Sequence, residues 1–235
     1  MNLNNYKEYM TAEMLMGPNS ARILEELLKK HPLQLSDKHK VLDLGCGKGL
    51  TSFILARETG AKIYANDLWV RAEDNKTRFD KWGISEQMIP ICEDANNLSF
   101  EKKMFDILVS IDSYHYFATD IGFFEHKILP FLKDNSVVLI GIPGIKNDYT
   151  GRSEELLSAW LGNEAYMFKS PTEWKEIIGN HASIETVETW EMGCFDLAWN
   201  EWFATEHKYA LGDKIFFETL IKPYTCFVGI YIKIK

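Results

Sequence analysis

The chain has 235 residues, 46% of them hydrophobic and 26% charged, with 26 Lys and Arg against 34 Asp and Glu and a net charge of −8. This composition can bury a large core and contains no low-complexity tract. It has no basic cluster able to neutralise several phosphates, which argues against a nucleic-acid partner, and its longest apolar runs, Val137 to Ile142 and Phe227 to Ile232, fall far short of the roughly 20 residues of a membrane-spanning helix.

The first residues, MNLNNYKEYM, have neither a basic region nor an apolar stretch, so no signal peptide is read and a cytoplasmic location is expected. Gly17-Pro18-Asn19-Ser20 reads as a turn into a helix with Ile23, Leu24, Leu27 and Leu28 on one face, ended by His31-Pro32. Lys40 to Leu44 is a short strand, and the glycines after it open a helix through Ser52, Phe53, Leu55 and Ala56. Ala61 to Asn66 reads as the second strand with Asp67 at its carboxyl end, followed by a charged helix from Val70 to about Trp82 and a third strand from Gln87 to Cys92. Phe105 to Ile111 is apolar enough for a strand covered on both faces. A helix from Gly122 to Leu132 and a fifth strand from Ser136 to Ile142 complete the alternation. Beyond Pro143-Gly144, two helical stretches flank Ser170-Pro171, Ile184 to Trp190 reads as a strand and Cys194 to Tyr209 as a helix. Tyr224 to Lys233 is a β-branched, aromatic strand able to pair antiparallel with 184–190 at the sheet edge.

This order predicts an α/β fold with a doubly wound, mostly parallel sheet, whose ligand lies beyond the carboxyl ends of the strands at a topological switch point. A single domain over 1–235 is expected, its cofactor-binding half at about 40–142 and its acceptor cap built from 1–30 and 145–222. Cys46, Cys92, Cys194 and Cys226 are widely spaced, without a CxxC, and read as reduced thiols, with no metal site expected.

The segment Val41-Leu42-Asp43-Leu44-Gly45-Cys46-Gly47-Lys48-Gly49 carries the functional reading. A strand runs into a glycine turn at a helix start, where the backbone can turn sharply, a ligand can approach closely, and unpaired amides can attract a carboxylate or phosphate. The spacing is Gly-x-Gly-x-Gly, not the Gly-x-Gly-x-x-Gly of the dinucleotide fingerprint, which disfavours NAD and FAD. Asp67 is placed to accept hydrogen bonds from the two ribose hydroxyls of an adenosine group.

From Lys40 to Ile142 the chain resembles the class I S-adenosylmethionine-dependent methyltransferases. Asp43 to Gly49 is similar to that family's first motif, Asp67 to its ribose-binding acid, Glu93-Asp94-Ala95 to the segment near the adenine, and Phe105 to Ser110 to its fourth-strand motif. The resemblance implies a Rossmann-like, seven-stranded sheet with an antiparallel last strand, an N-terminal helix, and cap insertions at about 145–183 and 193–222. It also implies S-adenosyl-L-methionine as cofactor. Asp43, Gly45, Cys46, Gly47, Gly49, Asp67, Leu68, Asp94, Ala95, Ser110 and Ile111 are then the expected cofactor-binding residues.

Methyl transfer from a sulfonium is an in-line displacement, needing alignment, exclusion of water and, for a protonated acceptor, removal of a proton. Asp112, Tyr114 and His115, just past the fourth strand, are the expected catalytic residues. His115 is read as a general base near neutral pH, and Tyr114 or Asp112 as orienting the acceptor. Tyr6, Tyr9, Met14 and Met16 lie on a segment that could fold over the cofactor as a lid. Trp190, Trp199, Trp202 and Phe203 are read either as core or as an aromatic cage for a cationic acceptor. The expected partner is a small-molecule methyl acceptor, bound by a monomer or homodimer. A lipid-modifying enzyme like the cyclopropane synthases, a non-catalytic S-adenosylmethionine-binding module and a nicotinamide oxidoreductase are the rival readings.

Overall fold

The computed structural model describes residues 1–235. Seven strands, β1 (Lys40–Leu44), β2 (Lys62–Asn66), β3 (Met88–Ile91), β4 (Phe105–Ile111), β5 (Leu132–Ile145), β6 (Ile184–Glu191) and β7 (Thr225–Ile234), form one sheet in the order β3-β2-β1-β4-β5-β7-β6. The first five run parallel, while β7 is antiparallel to both β5 and β6. Chain order reverses between β1 and β4, which makes the carboxyl ends of these strands the switch point.

Alternating side chains divide the core into two layers, as strands covered on both faces require. Val41, Ile107, Val109 and Leu139 face one cluster, which they share with Ile23, Leu24 and Leu27 of α1 (Ser20–Lys30), Phe53 and Ile54 of α2 (Leu50–Thr59) and Phe79 of α3 (Ala72–Lys81). Leu42, Leu44, Leu108, Val138 and Ile140 face the other, closed by Phe124, Ile128 and Trp174. Trp174 belongs to α5 (Pro171–Ile178), which follows α4 (Ser153–Leu161) and begins in a capping box between Ser170 and Glu173. Within the first cap insertion, α5 thus turns back onto the sheet. The second carries α6 (Phe195–Phe203) and α7 (Lys208–Phe216), whose Trp199, Trp202 and Ala210 join the first cluster.

Two elements depart from the sequence reading. The helix expected from Gly122 to Leu132 is a single π turn, Phe124–Ile128, and a 3-10 turn, Leu129–Phe131, because Pro130 has no N–H to give and its ring clashes with the carbonyl four residues back. The chain enters β5 at once, so this strand is longer than the expected 136–142, and nine of its residues, Val137 to Ile145, pair with β7. The helix expected over Cys194 to Tyr209 is two helices. Glu206 takes φ 55° between them and the His207 side chain caps the second by accepting from Tyr209 N–H.

Candidate active site

The loop from β1 to α2 turns through Gly45, Gly47 and Gly49, with φ of 77°, 54° and 83°. Four of its five amides are already bonded within the protein, which narrows the anion cradle expected from the sequence, and Gly49 N–H is one of them, donating to the Cys46 carbonyl at 2.9 Å. Gly45 and Cys46 N–H donate to the Asn66 carbonyl at 2.8 and 3.0 Å, and Gly47 N–H donates to Asp67 Oδ2 at 2.8 Å. The buried Asn75 amide of α3 holds the Gly47 carbonyl at 3.0 Å. The Gly45 carbonyl accepts no protein donor, so the turn offers the pocket this oxygen. Gly49 packs elsewhere: an added Cβ would lie 2.5 Å from the Phe79 ring, which makes Gly49 a requirement of the α2–α3 contact. Asp43, also expected to touch cofactor, is fully buried under α2. Its Oδ2 accepts from Thr51 and Ser52 hydroxyls at 2.8 and 2.6 Å, and burial pushes its carboxyl up to about 6.

The cavity beside this turn has a volume of about 340 Å³, within the range of small-ligand sites. Gly45, Cys46, Gly47, Asp67, Leu68, Asp94, Ala95, Ile111 and Asp112 line it, as do Asn66, Trp69, Ser113, Tyr116 and Phe117. At the β2 end, Asp67 Oδ1 accepts Trp69 and Val70 N–H, each at 2.8 Å, which holds the carboxylate at the cavity wall. Asn66 ties the ends of β2 and β3 through a reciprocal pair of 3.0 Å bonds with the Glu93 backbone. Asp94 accepts Asn96 N–H at 2.8 Å, and that bond lowers its carboxyl from the ordinary value. Asn66 and Asn75 were not singled out in the sequence. Strand alternation could have placed Asn66 inside, whereas nothing local marks Asn75.

Beyond β4 the expected catalytic residues separate. Asp112 lines the cavity with φ 55°, a left-handed conformation that Asp and Asn accept more readily than most residues. No protein donor reaches its carboxylate, and burial and the charge of Asp213 push it up to about 7. Tyr114 and His115 are outside the cavity lining. Tyr114 is buried in the second core layer against Trp174, Phe117 and Phe123, and its hydroxyl is unpartnered. His115 is 1% exposed and burial lowers it to about 3, so the imidazole is neutral and too weakly basic for the general-base role expected of it. Ser110 is also turned inward. Its hydroxyl and that of Ser113 both donate to the Leu44 carbonyl, at 2.7 and 2.8 Å, joining the ends of β1 and β4.

The N-terminal segment crosses the mouth, where Met14, Met16, Gly17, Pro18 and Ser20 line the cavity and Lys48 Nζ donates to the Glu13 carbonyl. The expected aromatic group splits. Trp190 stands on β6 beside His31 and Lys30, while Trp199, Trp202 and Phe203 are core residues of the first layer. The Trp202 indole N–H still makes a polar contact, reaching Asp213 of α7 at 3.2 Å, and that of Trp160 reaches the same carboxylate at 3.1 Å.

Residues 41–134 match the family model for a methyltransferase domain. Over 93 residues the chain is 34% identical to methyltransferase GfsG of Streptomyces halstedii, a stretch covering 39% of this chain and 33% of that protein. Among solved structures, geranyl diphosphate C-methyltransferase of Streptomyces coelicolor A3(2), in complex with Mg2+, geranyl-S-thiolodiphosphate and S-adenosyl-L-homocysteine, superposes with a TM-score of 0.71 at 17% identity, over 91% of this chain and 75% of that one. Phosphoethanolamine N-methyltransferase 2 of Haemonchus contortus, in complex with S-adenosyl-L-methionine, gives 0.72 at 18% identity over 99% and 59%. Residues 41–134, which contain the glycine turn, are thus similar to a methyltransferase domain, and the chain as a whole shares the fold of these structures while spanning only a third of the length of the curated relative it matches.

Proposed function

We propose that the protein binds S-adenosyl-L-methionine in the cavity between the glycine turn and residues 112–117 and transfers its methyl group to a small-molecule acceptor. One observation carries the reading. The cavity is lined by four acids, Asp67, Glu93, Asp94 and Asp112, and a single cation, Lys48, and the amides of Gly45, Cys46, Gly47 and Gly49 in the turn are already bonded within the protein. Such a wall suits a ligand with sulfonium and ammonium charges and opposes the pyrophosphate of a dinucleotide.

In this reading the Gly45 carbonyl accepts from the cofactor's ammonium group. The remaining lone pairs of the Asp67 carboxylate accept from the ribose hydroxyls, Leu68 and Ala95 flank the adenine, and Asp94 accepts from its amine. When bound, the cofactor supplies an electrophilic methyl on sulfur. The chain's part is to orient the acceptor from the Asp112–Phe117 side and to exclude water with the N-terminal segment.

Calorimetric titration should find S-adenosylmethionine and S-adenosylhomocysteine bound and NAD not bound; the reverse pattern sinks the proposal. Asp67→Ala should weaken S-adenosylhomocysteine by about 1–3 kcal/mol, and an unchanged affinity would remove the ribose role.

A further inference from the structure

Behind the motif acids, the acceptor side of the cavity has a charge pattern of its own. Asp112 faces the cavity without any protein donor on its carboxylate. The charge of Asp213, outside the cavity lining, reaches it, and the two Asp213 oxygens are held by the indole N–H groups of Trp160 and Trp202. Tyr116 is 42% exposed, and desolvation together with the charges of Asp112, Glu164 and Asp213 raises its phenol above the ordinary value. The 1%-exposed imidazole of His115 lies 4.0 Å from the Tyr116 ring, centroid to centroid, and leaves its buried Nδ1 without a partner. No three acids, histidines or cysteines converge closely enough to hold a metal ion. The one lining cation, Lys48, is engaged by the Glu13 carbonyl on the opposite wall. Acceptors of lone pairs and negative charge therefore surround this end of the cavity, and aromatic rings complete it: Tyr116 and Phe117 in the wall, with Trp69 edge-on to Tyr116 at 5.1 Å.

Resting on the methyl-transfer reading above, we infer that the acceptor is a protonated primary or secondary amine, bound by the Asp112 carboxylate against the Tyr116 ring and methylated on nitrogen. A half-buried carboxylate without protein donors gains most from a cation, which supplies both charge and hydrogen bonds, and the face of an aromatic ring favours the same charge. A carboxylate or phosphate acceptor meets repulsion from Asp112 and Asp213, and a neutral alcohol offers the carboxylate one hydrogen bond but no opposing charge. Asp112 also completes the chemistry. Its carboxylate takes one proton from the ammonium, and the freed nitrogen lone pair forms the bond to the methyl carbon. The carbon–sulfur bond breaks with both electrons going to sulfur, leaving a neutral thioether and an N-methylammonium, and Asp112 passes its proton to solvent. A carboxyl held up to about 7 is matched to that transfer near neutral pH.

The test is equilibrium binding to the protein saturated with S-adenosylhomocysteine, at neutral pH, of two isosteric sets: benzylamine, benzyl alcohol and benzoate, and propylamine, propanol and propionate. In at least one set the amine should bind about tenfold or more tightly than the alcohol, with the carboxylate unbound. Asp112→Asn, which keeps a residue suited to the positive φ, should bring the amine down to the alcohol's affinity while S-adenosylhomocysteine still binds. Equal binding of amine and alcohol, preference for the carboxylate, absence of amine binding in both sets, or an amine preference that survives in Asp112→Asn overturns the inference alone. Failure to bind S-adenosylhomocysteine overturns the methyl-transfer reading and this inference with it.

Discussion

At position 45 the fold has room for glycine only. The backbone φ of 77° is left-handed, and an added Cβ would lie 2.2 Å from Ser113 Oγ. Ser113 cannot simply rotate away, since its hydroxyl helps Ser110 hold the Leu44 carbonyl at the end of β1. Left-handed strain and overpacking each cost about 1–3 kcal/mol, so Gly45→Ala should destabilise the protein by about 3 kcal/mol in urea denaturation, and adding Ser113→Gly, which removes both the hydroxyl and the Cβ it meets, should recover part of the loss. A loss below about 1 kcal/mol would mean that the turn relaxes freely. His115 shows the opposite relation between sequence and role. Its position after β4 is the one expected of a catalytic group, yet its burial leaves a neutral ring suited to accepting a hydrogen bond.

Among the elements, the segment from Met10 to Pro18 forms a strap fixed at both ends. Before it, the Tyr6 hydroxyl donates to Glu58 at 2.6 Å. After it, Asn19 caps α1 and donates to Glu201 at 2.6 Å, and Arg22 grips the same carboxylate. Between the anchors, the Lys48–Glu13 contact ties the strap to the glycine turn. If the strap closes over bound cofactor, Lys48→Ala removes a hydrogen bond worth about 0.5–1.5 kcal/mol and should speed S-adenosylhomocysteine dissociation by about 3- to 10-fold in stopped-flow measurements; an unchanged rate would leave the strap without a closing role. The sheet was legible from the sequence because its strands are short apolar runs separated by helical periodicity, and the glycine turn because its residue types carry their conformational reason with them. The reach of β5 was not legible, since Asn135, at φ 62°, looks like a turn residue, and the strand is carried across it by the pairing of Leu132 with Phe105 before it and of Val137 with Lys233 after it. Nor was the meeting of Asp112 with Asp213, which are 101 positions apart and linked by a charge that only the tertiary structure brings near. The separation of Tyr114 from Asp112 has no local signal, because a 3-10 turn, Tyr114–Tyr116, begins three residues after the end of β4 and swings nearby side chains to different surroundings.

For the whole molecule, these buried groups set opposing trends with pH. Asp43 and Asp112 have carboxyls raised from 3.8 to about 6 and about 7 in the fold. The stability they contribute is therefore fully present below about pH 4 and lost as pH rises through about 6 and about 7. His115, lowered from 6.5 to about 3, contributes stability above about 6.5 that is lost as pH falls toward about 3. The groups whose charge reaches Asp112 are Asp213 and, through its phenol, Tyr116; the strap opposite brings only Gly17 close. With no cation at hand to stabilise its charged form, replacing Asp112 by Asn should remove one contribution to the pH slope. Denaturant titrations from about pH 3 to about pH 8 should show the wild type losing stability relative to Asp112→Asn as pH rises from about 4 to about 7, with the gap constant below about pH 4 and above about pH 7. Parallel stability curves across that range would show that Asp112 titrates normally. A bound amine changes the sign of the local balance, because its charge favours the ionised carboxylate that the empty pocket disfavours. Saturating benzylamine should accordingly stabilise the wild type more at about pH 8 than at about pH 5, by the linkage that couples ligand binding to folding, and the difference should vanish in Asp112→Asn.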